Sequence, residues 1–191
     1  MTQRILVDAN VIVSKTQFDW LFHLRQLNPG MFQTHSTYDI FAEALKALRR
    51  DIPTLPGHVI ARRVEMIQDC VDEVLQDFSG ELPFSGKDPD DYHVHAAAIS
   101  ARSDVILTGN DESDFTADPD SEPYEVITPD DFFMLVARSH PACVLPATAS
   151  QFDYWRTKPN SKPLDVALVD ADCPKFAEEV RTALRHIART M

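Results

Sequence analysis

The chain has 191 residues, of which 44% are hydrophobic and 25% are charged. This composition is typical of a soluble globular protein, and its apolar runs are far shorter than the ~18 residues that a membrane-spanning helix needs. The formal net charge of −12 weighs against broad, non-specific binding of nucleic acids. It still permits a nucleic-acid enzyme, because metal ions and a few arginines can supply positive charge locally.

The three cysteines are widely spaced and include no CxxC pair (Cys70, Cys143, Cys173). This pattern weighs against a disulfide framework and against a structural zinc site. The N-terminus leads straight into an apolar run without a cleavage-type segment, so we expect no signal peptide. Together these features favour a cytoplasmic protein.

The first hydrophobic run, residues 5–13, predicts a strand buried on both faces, as in a parallel sheet. Asp8 interrupts this run, and a carboxylate there is costly unless it lies at the strand's end beside a metal or a hydrogen-bond donor. Ligands of open α/β sheets bind beyond the carboxyl ends of the strands. Two roles are therefore open for Asp8: a functional residue, or only a cap for the next helix.

Strands and helices alternate along the following hundred residues. Helical spacing runs from Val11 to Leu27, and Met31-Phe32 begins either a short strand or a loop. The pattern then predicts a helix from an N-cap at Ser36 to residue 51, a helix at 58–78, a helix opened by Asp88, a buried strand at 105–108, a short turn or helix at 111–115, a strand at 124–127 and a helix to residue 138. This alternation indicates an α/β fold with a mainly parallel sheet.

A domain boundary is predicted near Ser139. It separates a domain at residues 1–138 from a helical C-terminal extension at residues 139–191, in which no strand is expected. Because the extension is too small and too helical to be an independent enzyme domain, we expect it to pack on the first domain or on a second subunit.

Three acidic residues lie where burial disfavours acids. Asp8 ends a buried strand, Glu43 lies at the edge of an apolar helix stripe, and Asp91 lies on the inward face of its helix. Each also has an ordinary explanation: a helix cap for Asp8, a solvated flank for Glu43 and a favourable helix start for Asp91. Together with polar residues after the 105–108 strand (Asn110, Asp111, Asp114), they are expected at one edge of the sheet. Such a set, without His or Cys ligands, suits Mg²⁺ or Mn²⁺ better than zinc.

Four segments resemble the PIN domain family: residues 6–14, residues 36–43, residues 88–98 and residues 105–115. They occur in the family's order and at familiar spacing between residue 4 and about residue 135. The likeness is closest to the bacterial VapC-like toxin branch, in which a helical C-terminal extension can follow the PIN domain. The resemblance implies a PIN-like α/β/α sandwich and a Mg²⁺- or Mn²⁺-dependent endoribonuclease. It further implies the toxin of a type II toxin–antitoxin system, with RNA as substrate, a small antitoxin as partner and a homodimeric state.

The resemblance also assigns roles to individual residues. Asp8, Glu43 and Asp91 match the three acidic positions of the family motif, as catalytic and metal-binding residues. The fourth metal-binding position falls on Asn110, a neutral ligand, so the site could bind either one metal ion or two. Asp114 is the nearest carboxylate that could compensate for the missing charge. We expect Asn10 and Thr108 to orient the acids. Candidate RNA-binding residues are Arg49, Arg50, Arg62 and Arg63, with solvated helix ends as the alternative.

No Ser-His-Asp or Cys-His arrangement is recognisable, which agrees with a metal-activated water as the nucleophile. His93 and His95 face opposite sides of their predicted helix, so we expect partly exposed rings and no shared metal ion.

Two other functions remain as alternatives. A haloacid-dehalogenase-like phosphatase begins with a similar strand, but it needs a second aspartate where this chain has Asn10, and a downstream catalytic lysine where the chain is poor in lysine. A catalytically silent PIN-like module that only binds RNA or protein is the second alternative. The intact acidic positions argue against it, and Asn110 argues for it.

Overall fold

The computed structural model describes residues 2–190, and no helix in that range is long and apolar enough to cross a membrane. The strands are β1 (Gln3–Val7), β2 (Phe32–Thr37), β3 (Glu73–Leu75), β4 (Val105–Leu107) and β5 (Glu125–Ile127). The helices are α1 (Ala9–Val13), α2 (Lys15–Leu27), α3 (Tyr38–Asp51), α4 (Gly57–Cys70), α5 (Tyr92–Ser100), α6 (Glu112–Phe115), α7 (Pro129–Ser139), α8 (Val144–Trp155), α9 (Leu164–Val169) and α10 (Pro174–Thr190).

The chain divides into two compact units. The first contains the residues up to Val13 together with Gly30–Thr128, and the second contains Ser14–Pro29 together with the residues from Pro129 onward. The second unit thus takes in α2 and α7 as well as the helices after residue 139. The domain boundary at residue 139 stays a prediction.

The first unit is built on a five-stranded sheet in the order β3-β2-β1-β4-β5, and all its paired strands run parallel. Central strand β1 is flanked by β2 and β4, and its residues Ile5, Leu6 and Val7 are fully buried. The chain runs from β1 out to β3 at one edge and then returns to β4 on the other side of β1. With crossovers of the usual right hand, this order of strands puts helices on both faces of a sheet. This confirms the predicted α/β/α class. It also places a topological switch point between β1 and β4, where open α/β sheets bind ligands.

The first hydrophobic run is a strand only as far as Val7, and α1 begins two residues later. The continuous run conceals this change because Val11 and Ile12 are as fully buried in the helix as the strand residues are in the sheet. The predicted position of Asp8, directly after the strand, is unaffected.

The predicted N-cap at Ser36 is wrong. Ser36 lies inside β2, and its buried hydroxyl donates to the carbonyl of Val7 on β1 at 3.1 Å. The cap is Thr37, whose Oγ1 accepts from the backbone N–H of Ile40 at 3.1 Å. Both residues are good cap formers, so local sequence alone does not separate them.

The helix predicted at residues 58–78 is also wrong after Cys70. Helix α4 ends at Cys70, and β3 follows at the edge of the sheet. Asp72 fixes this change of direction, since its N–H donates to the Thr34 carbonyl and its carboxylate accepts from the Thr34 N–H, each at 2.8 Å. The periodicity of apolar residues along a helix cannot reveal a contact between residues so far apart in the sequence.

The second unit is entirely helical within the residues described. In its core, the buried ring of Phe176 packs against Trp20 and Phe133, with ring centroids 5.1 and 5.3 Å apart. Buried Asp130 of α7 accepts from the first N–H groups of α10, from Lys175 at 3.0 Å and from Phe176 at 2.8 Å. An acid at this helix N-terminus satisfies free N–H groups and stabilises the helix dipole.

Candidate functional site

Asp8 follows β1 directly and is only 3% exposed. Its Oδ1 accepts from the Ala9 N–H at 2.6 Å, and its Oδ2 accepts from the Thr108 hydroxyl at 2.7 Å and from the Asn10 amide at 2.9 Å. Burial raises the pKa of Asp8, and these three donors act in the opposite direction. The surrounding donors thus fix the orientation of the Asp8 carboxyl group and favour its ionised form, which burial alone would disfavour.

Two asparagine amides connect the ends of β1 and β4. Asn10 Oδ1 accepts from the Gly109 N–H at 3.0 Å, and Asn10 Nδ2 lies 3.0 Å from Asn110 Oδ1. Asn110 Nδ2 donates in turn to Asp91 Oδ2 at 2.9 Å. An ionised aspartate at position 110 could not make this last bond, since a carboxylate has no N–H to donate. The neutral side chain therefore links Asp91 to the Asp8 end of the sheet.

Asp91 is positioned by a tight turn before α5. Asp88 begins the turn by accepting from the Asp90 N–H at 2.9 Å, and Lys87 N–H donates to the Ser113 carbonyl at 2.9 Å. Gly86 approaches α6 so closely that a Cβ atom there would lie 2.1 Å from the Asp114 carbonyl oxygen. The loop before Asp91 can thus pack against α6 only because residue 86 has no side chain.

The pKa of Asp91 rises from 3.8 to about 6. Burial is the main cause, and the negative charges of Asp8, Asp88 and Asp114 add to it, while the hydrogen bond from Asn110 opposes it. Glu43 on α3 is half exposed, yet its pKa is also raised, first by partial burial and then by the charge of Asp8. The charge of Asp8 therefore opposes the ionisation of both Asp91 and Glu43.

A cavity of about 340 Å³ opens over these residues. We call it the acid-lined cavity, and its lining comprises Asp8, Ala9, Asn10, Val13, Glu43, Lys46, Ala47, Arg50, Asp51, Asp91 and Asn110. The predicted acids and both asparagines thus face one space, and Thr108 supports them from a fully buried position. Lys46 was missed by the sequence reasoning, although it lies one helical turn after Glu43 and so shares its face of α3.

Other predicted residues do not line the acid-lined cavity. Asp114 accepts from the Asp111 N–H at 3.2 Å in a capping box at the start of α6, and its role as a further metal ligand stays a prediction. Arg49 donates to the Leu55 carbonyl at 2.6 Å, and Arg63 donates to the Ile12 carbonyl at 2.6 Å. Arg62 is exposed on α4. Of the four predicted RNA-binding arginines, Arg50 alone lines this cavity.

His93 and His95 have different surroundings. His93 Nε2 lies 3.6 Å from Glu43 Oε2, at the edge of the acidic group. His95 is only 1% exposed, which makes the expected partial exposure wrong for this residue. Its ring nitrogens lie 2.6 Å from the Tyr124 hydroxyl and 3.0 Å from the Pro83 carbonyl. The sequence feature that could have predicted this burial is the run of alanines after His95, which favours burial of the whole helix.

The chemistry of the acids fits a hard divalent cation. Carboxylate and amide oxygens are the ligands that Mg²⁺ and Mn²⁺ prefer, and a cation would offset the repulsion that raises the pKa of Asp91 and Glu43. As positioned, no group of three His, Cys, Asp or Glu in residues 2–190 is arranged to hold an ion. The Asp8 and Asp91 oxygens instead accept hydrogen bonds from neighbouring amides.

Comparison with known families accounts for this site. A model of the PIN domain matches residues 4–112, which is more than half of the chain and includes every residue of the acid-lined cavity. The curated proteins and the solved structures contain no significant match. PIN domains are typically nucleases. On this match, and with the parallel sheet and the acids at its switch point, the chain belongs to the PIN domain family.

Proposed function

We propose that this chain is a Mg²⁺- or Mn²⁺-dependent endoribonuclease that hydrolyses RNA phosphodiester bonds with water. The observation that carries the proposal is the position of Asp8, Glu43 and Asp91 around one cavity, each with a raised pKa. Burial opposes the charge of all three acids, and the charge of Asp8 adds to this at Glu43 and Asp91, so the group is suited to binding a cation. The family match supports a nuclease in particular.

The residues divide into three groups by role. Asp8, Glu43 and Asp91 hold the ion, with Asn110 as a neutral ligand, and Asp114 is the predicted additional one. Thr108 and Asn10 keep Asp8 oriented and favour its ionised form through bonds to Oδ2. When bound, the ion supplies an activated water and stabilises charge on the phosphoryl oxygens. Lys46 and Arg50, on the same side of the cavity as Glu43, attract the phosphates.

The test is cleavage of a labelled single-stranded RNA by the purified full chain. We expect cleavage with Mg²⁺ or Mn²⁺, none in EDTA, and a loss of about 100-fold or more in Asp8→Asn. Asp90→Asn is the matched control, since Asp90 is exposed in the turn beside Asp91 and does not line the cavity. Equal cleavage by wild type and Asp8→Asn would refute the assigned site.

We further infer that the chain acts in the cytoplasm as a homodimeric toxin of a type II toxin–antitoxin system. The likeness of its four segments to the VapC-like branch supports this role, and the three free cysteines agree with a reducing compartment. Induced expression should arrest growth for wild type and not for Asp8→Asn, and a co-expressed small antitoxin should restore growth. Harmless expression of an RNA-cleaving wild type would contradict the toxin role alone.

A catalytically silent PIN module is the second candidate. It is favoured by the neutral Asn110 and by the lack, among the described residues, of three ligands already arranged around an ion. RNA binding without cleavage under any divalent metal would establish it. Hydrolysis of small phosphoesters without RNA cleavage would instead indicate phosphatase chemistry.

A further inference from the structure

A second cavity, of about 210 Å³, lies wholly within the helical unit. We call it the indole cavity because both tryptophans of the chain line it. Its lining includes three buried residues, Trp20 on α2, Gln151 on α8 and Leu164 on α9, and half-buried Trp155. None of its residues lines the acid-lined cavity. The indole cavity is therefore a separate space with its own chemistry.

The amide of Gln151 points to a missing partner. Gln151 is 2% exposed, and its Nε2 has no hydrogen-bond partner. Gln17, the other buried glutamine of this unit, shows the usual arrangement, since its Nε2 donates to the Ala171 carbonyl at 2.8 Å. A buried amide without a partner is costly, and most such groups in proteins are satisfied. An acceptor atom entering the indole cavity would remove that cost.

The other lining groups indicate the chemistry of a ligand that would bear this acceptor atom. The two indole rings contribute apolar lining, and Lys15 Nζ lies 4.0 Å from the centre of the Trp155 ring. Lys162, which pairs with Asp170, adds a second positive charge. Asp19 lies one turn after Lys15 and supplies a carboxylate that can accept a hydrogen bond. A flat group bearing acceptors, donors and a nearby negative charge matches this set.

The size of the indole cavity limits which ligands can fit. Pockets for drug-sized ligands start at about 300 Å³, so this one admits a single ring system and not a folded peptide segment. Unpaired nucleobases are recognised in this way, by stacking on aromatic side chains and by hydrogen bonds to the base edge. Exposed Asn160, between α8 and α9, also lines the cavity and adopts a left-handed conformation with φ 59°.

We infer that the indole cavity binds a nucleobase carrying a phosphate, with a base oxygen or ring nitrogen accepting from Gln151 Nε2 and the phosphate beside Lys15. The base comes either from a free nucleotide or from an unpaired nucleotide of an RNA. This inference does not depend on the proposed ribonuclease activity, because it concerns binding by residues that the acid-lined cavity does not use.

Intrinsic fluorescence tests the inference directly, since the only two tryptophans both line the indole cavity. The full chain in EDTA is titrated with each of the four common ribonucleoside 5′-monophosphates, and free N-acetyltryptophanamide corrects for absorption. We expect saturable quenching by at least one of them and none by ribose 5-phosphate. No saturable change with any nucleotide at millimolar concentration, or equal binding of ribose 5-phosphate, would overturn the proposal.

Gln151→Met separates ligand binding from a structural role. Loss of one hydrogen bond should weaken nucleotide binding about tenfold. The melting temperature should not fall, because the wild-type Nε2 bonds to no protein group. Gln68→Met is the matched control, made on an exposed glutamine of α4 in the other unit. Wild-type affinity in Gln151→Met would overturn the assignment of Gln151 as the base-binding donor.

Lys15→Met provides a second variant that does not depend on a buried site, since Lys15 is exposed. It should weaken binding of the monophosphate more than binding of the corresponding nucleoside, and equal weakening of both would contradict the phosphate position.

Single-stranded pentanucleotides then distinguish the two sources of the base. Binding as tight as that of the mononucleotide identifies RNA as the source, and binding of the mononucleotide alone identifies a free nucleotide. Both results support a base-binding cavity.

Discussion

Replacement of Asp91 by asparagine should stabilise the metal-free protein while it removes RNA cleavage. Asn has almost the shape of a protonated Asp, and its side-chain oxygen can still accept the bond that Asn110 donates at 2.9 Å. The variant thus mimics the neutral carboxyl group that the folded protein favours. Activity and stability should change in opposite directions, which is expected where a functional site retains unfavourable charge.

The magnitude follows from the pKa of Asp91, which burial and the charges of three nearby aspartates raise from 3.8 to about 6. At about 1.4 kcal/mol per pKa unit, ionisation costs the folded state up to about 3 kcal/mol relative to the unfolded chain. The folded protein binds more protons than the unfolded chain between these two pH values. Asp91 therefore lowers stability as pH rises from about 4 to about 6, and the full cost remains at pH 7.

The assay is chemical unfolding of wild type and Asp91→Asn in EDTA from pH 4 to pH 8. The variant should gain little at pH 4 and up to about 3 kcal/mol above pH 6. Asp90→Asn, one residue away and exposed, should differ from wild type by no more than about 0.5 kcal/mol throughout. A destabilised Asp91→Asn, or a gain that does not depend on pH, would refute the reasoning.

Three further predictions concern neighbouring groups. Thr108→Val removes the hydroxyl that donates to Asp8 at 2.7 Å, so the rate of RNA cleavage should fall about 10-fold or more, as measured at saturating RNA and metal. Lys46→Met removes a positive charge from the cavity, and it should raise KM for RNA more than it lowers kcat and reduce the salt dependence of binding. Thr37→Ala removes the cap on the Ile40 N–H and should cost about 1 kcal/mol of unfolding free energy, while an unchanged value would contradict the revised start of α3.

Strands β1 and β4 could be predicted from their continuous apolar runs. Residues 5–7 and 105–107 are almost wholly buried, and hydropathy alone locates them. Strand β2 is different, since Thr34, His35 and Ser36 are buried polar residues. Several of their polar atoms bond to distant partners, such as Ser103, whose hydroxyl lies 2.7 Å from His35 Nε2. Such a strand is inconspicuous in sequence because its burial depends on contacts that only the folded chain provides.

The candidate site could be predicted in part, where its residues follow predicted strands. Asp8 and Asn110 follow predicted strands, and the parallel sheet brings both to one edge. The bond from Asn110 to Asp91 could not be predicted, because it joins two loops through a precise turn. Nor could the use of Arg49 and Arg63 as anchors for backbone carbonyls, since helical spacing gives the face of a residue but not the acceptor within its reach.

The most direct test of the central claim is to map RNA ends after total bacterial RNA is incubated with purified wild type or Asp8→Asn in Mn²⁺ and in EDTA. New ends at defined positions should appear with wild type in Mn²⁺ alone, because cleavage requires both the ion and the carboxylate that Thr108 and Asn10 orient. Identical ends with Asp8→Asn, or no new ends under any condition, would contradict the assignment of the acid-lined cavity as a ribonuclease centre.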